Sequence, residues 1–148
     1  MMLKDTLKIA LASSYVFQIK VQNFHWNVEG PDFPQYHKFL DDLYSEINDN
    51  AIDQTAELCR QLDVYAPGSI TRFAELSIVG DQVKIPRAEL MIAELYEDNQ
   101  KLLTMWKEMF PIAEQENEQG VADFIASRID AHGKHGWMLR SILKSQRA

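Results

Sequence analysis

His25 and His37 lie on either side of a Gly30–Pro31 turn, and carboxylates follow them at helical spacing. Asp41 comes four residues after His37, and Asp53 and Glu57 are four apart. On a helix each such pair shares one face. Imidazole nitrogen together with carboxylate oxygen makes a ligand set suited to iron, manganese or zinc. The stretch from His25 to Glu57 is therefore the part of the chain equipped to hold a metal ion, and the remainder must position it.

The axial geometry limits how these groups can meet. On an ideal helix Asp41 lies about 40° round from His37, whereas Asp53 and Glu57 lie about 160° and 200° round. Asp53 is also about 24 Å farther along the axis. One chain cannot easily bring both pairs to one ion. Two chains related by a two-fold can, because a self-complementary contact sets the start of one helix beside the end of its mate. His25, ending the preceding helix, can approach His37 across the turn. The expected site is therefore intersubunit, with His25, His37 and Asp41 from one chain and Asp53 and Glu57 from the other. The plainer alternatives are two structural histidines and a solvated acidic face. The ordinary di-metal centre inside a four-helix bundle uses Glu-x-x-His pairs. No histidine in this chain has a glutamate three residues before it, so a centre inside the bundle is not expected.

The elements around these residues read as helices. Leu7, Ala10, Leu11, Ser14, Phe17, Val21 and Phe24 form one stripe over residues 4–27, ended by Gly30 and Pro31. Asp32 and Pro34 open a second helix over about 33–62, with a stripe of Tyr36, Leu40, Leu43, Ile47, Gln54 and Leu58 interrupted at Asn50. Residues 63–86 form a long connection in which TRFAEL suits a short helix. A third helix starts near Pro86, with Ile92, Tyr96, Asn99, Leu103, Trp106 and Phe110 as its stripe and Pro111 loosening its end. EQENEQG reads as a loop, and a fourth helix covers about 121–144 with Ile125, Ile129, His132, Gly136, Leu139 and Leu143 facing inward. Two helices, a long crossover and two more helices describe an all-α, ferritin-like four-helix bundle in a single domain over residues 1–148.

Composition narrows the function classes. Apolar residues make up 46% and charged residues 25% of the 148, which suits one globular core. The formal charge of −7 disfavours a general nucleic-acid binder and suits a surface that gathers cations. Cys59 is the single cysteine, so no internal disulfide can form and a cytoplasmic protein is expected. No apolar run is long enough for a membrane span, and no membrane partner is expected.

The run HWNVEGPDFPQYH, then Asp41, then DQTAELCRQL resembles the Dps family, the mini-ferritins named as DNA-binding proteins from starved cells. GVADFIASRIDAHGKHGWMLRSIL is similar to that family's last helix, so the likeness spans nearly the whole chain. The resemblance implies a hollow dodecamer with a ferroxidase centre at the two-fold interface. It implies oxidation of Fe(II) with hydrogen peroxide as preferred oxidant, storage of Fe(III) mineral, and protection against oxidative damage. His25, His37, Asp41, Asp53 and Glu57 would be the iron ligands, and zinc or manganese would fit the same groups. Trp26, beside His25, would donate an electron or quench a radical, unless it simply packs. Asp123 falls where the family places acidic residues lining an iron-entry pore, though it also suits the start of a helix dipole.

Two departures from the family pattern bear on this. The spacing from His37 to Asp53 is one residue longer than usual. An extra residue turns a helix by about 100°, so the ligands keep phase only if a π-bulge or a shifted helix start absorbs it. The Asn48–Asn50 patch is the expected place; if nothing absorbs the residue, Asp49 or a different set of ligands takes over in place of the ferroxidase centre, with a structural cage that has lost its catalytic centre as a further alternative. The chain also begins almost at helix one, without a Lys/Arg-rich extension, and Arg140, Lys144 and Arg147 are a short basic set. Weak or absent DNA binding is the expectation, with a DNA-protecting cage as the alternative. Asp42, Glu46 and Asp49 would line the cavity or form a solvated face. His132 and His135 read as core or interface histidines rather than a second metal site.

Overall fold

The computed structural model describes residues 1–144, so Arg147 lies outside the described residues. Six α-helices run in order: α1 (Leu3–Asn27), α2 (Phe33–Ile47), α3 (Asp53–Gln61), α4 (Ile70–Leu76), α5 (Ala88–Gln115) and α6 (Gln119–Leu143). A π-turn, Asn48–Ile52, joins α2 to α3 without breaking the rod. The rod of α2 and α3 packs on α1, α1 also packs on α5, and α5 lies along α6. These four rods, with α4 in the crossover between the second and third, form the expected four-helix bundle, and the described residues include no strand.

The stripe on α1 is buried as its spacing requires: Leu7, Ala10, Leu11, Ser14, Phe17, Val21 and Phe24 all face the core. Lys20 is buried on the same helix, neutralised by Asp98 at 2.6 Å and Glu94 at 2.9 Å on α5. An unpaired ammonium there would carry a heavy desolvation cost, so this pair fixes how α1 meets α5. The crossover is fastened to α1 by Tyr15 stacking on Phe73, with ring centroids 4.4 Å apart, and by the Ile78 N–H donating to Ser13 Oγ at 2.9 Å.

Several sequence expectations need correcting. Pro111 does not loosen the end of the third helix: α5 continues to Gln115 with Pro111 inside it, on its exposed side. The end is set instead by Asn117, at φ +59°, with the Glu118 N–H reaching back to the Ala113 carbonyl at 3.0 Å. That is the left-handed closure asparagine tolerates, and it shortens the EQENEQG loop to its middle residues. Asp32 occupies the N-cap of α2 but its side chain makes no capping bond. The inward stripes of α5 and α6 are broader than expected: Leu95, Leu102 and Met109 are buried where Tyr96, Leu103 and Phe110 sit at the margin, and Leu143 is exposed. Past Asn50 the buried stripe of the second rod runs through Ala51, Thr55 and Cys59 rather than Gln54 and Leu58. The π-turn is the reason: one extra residue in a turn moves the inward face one position along the sequence.

Candidate metal centre

His25 closes α1 and His37 lies in the first turns of α2, and the Gly30–Pro31 turn folds one ring over the other. The rings are nearly parallel, 13° apart, with centroids 4.0 Å apart. Phe33 stacks on the other side of His37 at 5.0 Å. The Nδ1 of His25 is 2.8 Å from the His37 carbonyl oxygen, and the Nδ1 of His37 is 2.8 Å from the His25 carbonyl oxygen. A carbonyl only accepts, so each Nδ1 carries a proton and donates it. In the neutral ring that leaves the Nε2 lone pair free in both residues. This reciprocal bonding is the kind of outer support that fixes tautomer and ring orientation in metal-binding histidines. Asp41 joins them, with its Oδ1 4.0 Å from the His25 Nε2.

Asp53 and Glu57 lie on α3, exposed and one helical turn apart. The π-turn between them and His37 changes their phase. If it absorbs one residue, Asp53 falls about 60° and Glu57 about 100° round from His37, in place of 160° and 200°. His37, Asp41, Asp53 and Glu57 then share one arc of the α2–α3 rod. The turn has its own support: the Gln54 amide donates to the Asp49 carbonyl at 2.7 Å, and the Thr55 hydroxyl to the Ala51 carbonyl at 2.6 Å. Both satisfy carbonyls at the point where the regular ladder changes. The two halves remain apart along the rod: among the described residues, no three His, Cys, Asp or Glu side chains of one chain converge as a metal-binding group.

The other singled-out residues fall as follows. Trp26 is 64% exposed, so the subunit's own core does not pack it. Asp123 is exposed near the start of α6 and lines a surface cleft with Glu114 and Phe110. Glu46 is not a free cavity carboxylate. Arg128 grips it with Nη1 to Oε2 at 2.7 Å and Nη2 to Oε1 at 2.9 Å, and His135 Nε2 lies 2.6 Å from Oε1. Burial alone would push the Glu46 carboxyl up, but the bonds and charges of His135 and Arg128 hold it well below the usual glutamate range. Asp42 is paired with Lys38 at 2.7 Å on the surface. His132 is fully buried, bonded through Nδ1 to Asn99 Oδ1 at 2.8 Å, and burial followed by the Arg128 and His135 charges pushes its pKa well down. Arg128 is the residue that sequence reasoning missed, while Asn99 was read only as part of the α5 stripe and not as a partner of His132. Nothing in the local pattern marks a buried arginine or an α5–α6 amide contact.

A family model described as a ferritin-like domain matches residues 4–148. An uncharacterized low temperature-induced protein of Nostoc sp. is 33% identical over 138 residues, 92% of this chain and 76% of that protein. The DNA protection during starvation protein of Helicobacter pylori is 29% identical over 140 residues, 94% of this chain and 96% of that protein. The crystal structure of Dps from Staphylococcus aureus superposes with a TM-score of 0.93 at 28% identity, covering 97% of this chain and 96% of that one. Fold, crossover and sequence agree over nearly the whole length, and the chain belongs to the ferritin-like family as a Dps-type mini-ferritin.

Proposed function

We propose that this protein oxidises Fe(II) at a centre shared between two subunits and stores the Fe(III) product inside a cage, protecting the cell from iron and peroxide together. The observation that carries this reading is the reciprocal His25–His37 pair: two imidazoles held rigidly with their Nε2 atoms unbonded to any protein donor. His25, His37 and Asp41 of one subunit, with Asp53 and Glu57 of its two-fold mate, supply nitrogen and oxygen donors suited to ferrous iron. Iron is the substrate here. Two ferrous ions each give up one electron, hydrogen peroxide accepts both with cleavage of its O–O bond, and its oxygens leave at the level of water or oxide. Paired transfer avoids releasing hydroxyl radical. Trp26, exposed beside His25, would supply or quench a stray electron, and Asp123, exposed near the start of α6, would attract cations at an entry channel. A dodecameric cage in the cytoplasm completes the proposal, with zinc or manganese able to occupy the same donors.

DNA protection is the second reading, and the name of the Helicobacter relative favours it. The charge of −7 argues against tight phosphate contacts by this chain at physiological salt. The test is an anaerobic Fe(II) titration of the purified oligomer followed by a peroxide pulse, with a gel shift across salt concentrations alongside. Fast ferric absorbance co-eluting with protein, lost in His25→Ala/His37→Ala, supports the ferroxidase reading. Oxidation no faster than in buffer defeats it and leaves a structural cage. A duplex retained at moderate salt would put DNA protection first.

A further inference from the structure

The π-turn needs something to keep it in place. A π-turn is poorer helical geometry than the α-helix around it, and an extra residue in a helix can relax by moving along the rod. If it moved past Asp53, that residue and Glu57 would fall out of phase with His37 and Asp41 by about 100°. The structure holds the turn from outside the rod. Glu46 lies in the last turn of α2, two residues before the π-turn, and the Asn50 amide inside the turn donates to Glu46 Oε2 at 3.1 Å. The same carboxylate takes both Nη atoms of Arg128 and the Nε2 of His135, all from α6. Arg128 is 2% exposed, with its Nη2 3.4 Å from His132 Nε2, and Asn99 of α5 holds that histidine through Nδ1 at 2.8 Å. One bidentate pair thus ties the end of α2, where the π-turn begins, to α6.

We propose that Arg128 and His135 are positioning residues for iron: by clamping Glu46 they hold the π-turn that sets Asp53 and Glu57 in phase with His37 and Asp41. Neither residue belongs to the proposed donor set, and both act through Glu46. The inference rests on the ferroxidase reading above, and it adds that reading's dependence on α6. An ion pair that only stabilised the bundle would serve equally well whatever the helix register, and that difference gives the test.

Cobalt(II), a stand-in for Fe(II) that does not oxidise under these conditions, is titrated into the assembled oligomer and its visible absorbance read, with assembly followed by size exclusion. Four chains are compared: wild type, Glu46→Leu/Arg128→Leu, a chain with Asn50 deleted, and the deletion combined with the double substitution. The double substitution removes both charges together, so neither is left unpaired in the interior. Deleting Asn50 lets α2 and α3 continue as one regular helix with the four donors already in phase. The double substitution is expected to weaken cobalt binding roughly tenfold or more in the full-length chain, the scale of lost outer support at metal sites. In the Asn50-deleted chain it should change binding by less than about twofold. Equal loss in both backgrounds, or no loss in either, overturns the inference. If the doubly substituted chain fails to assemble, Asn50→Ala takes its place. Cutting that one link should weaken binding several-fold, and unchanged binding overturns the inference. A wild type that neither binds cobalt nor oxidises iron defeats the ferroxidase reading itself, an outcome distinct from the other two.

Discussion

Each ring of the His25–His37 pair donates its Nδ1 proton to the other residue's carbonyl, so neither ring is held independently. His37→Ala therefore removes one Nε2 donor and also frees the His25 ring. Iron affinity, measured by anaerobic titration, should fall by roughly ten- to a hundredfold; an unchanged affinity would mean the pair is structural. A second prediction concerns pH. His132 is buried with its folded pKa below the ordinary histidine value of 6.5, so the unfolded chain binds more protons as pH falls through that value. Stability should drop on acidification below about 6.5 and fall further below about 4.5, where the depressed Glu46 carboxylate begins to lose its share. The groups facing His132 are Arg128 and His135 from its own helix, Asn99 from α5 and Glu46 from α2. Thermal midpoints of wild type and His132→Gln between pH 7.5 and 5 test it: the variant should show the flatter slope, and parallel slopes would contradict the assignment. At this scale the proposed donors were legible in the sequence, through their types and spacing. It hid the Glu46–Arg128 contact, which joins residues 82 apart with no periodic signal between them.

At the scale of elements the π-turn decides most. A regular helix would carry the apolar stripe from Ile47 to Gln54 and Leu58; burial instead follows Ala51, Thr55 and Cys59. Those four-residue steps from Ile47 to Cys59 would drift by about 120° on a regular helix, and one absorbed residue cancels about 100° of it. The interruption of the stripe at Asn50 was the visible trace in the sequence. Which way the register would resolve depended on tertiary contacts that helix periodicity does not contain. The same blindness covers Pro111, which lies inside α5 rather than loosening its end. Adding one alanine after Ile52 should rotate Asp53 and Glu57 by about 100°. Iron oxidation should then fall to the rate in buffer while size exclusion still shows the assembled species. Retained activity would mean that the phase of α3 does not matter.

At the scale of the molecule, a single subunit leaves Trp26, Tyr65, Ile70, Val83 and Trp137 more than half exposed, surface of the kind that subunit contacts cover. No helix among the described residues is long and apolar enough to cross a membrane. The bundle and its crossover were legible in the sequence because helix stripes and a long Pro/Gly-punctuated connection are local signals. The proposed meeting of two half-sites would not be local, since it would depend on a second chain. Subunit mixing tests it most directly. Cages are reassembled from two inactive variants, His25→Ala/His37→Ala and Asp53→Ala/Glu57→Ala, and peroxide-driven iron oxidation is followed. With donors shared across a two-fold, random pairing should restore roughly a quarter of the sites, because one site in each mixed dimer draws every donor from an intact half. If oxidation in the mixed cages stays at the level of either variant alone, the donors are not shared between subunits and the account fails.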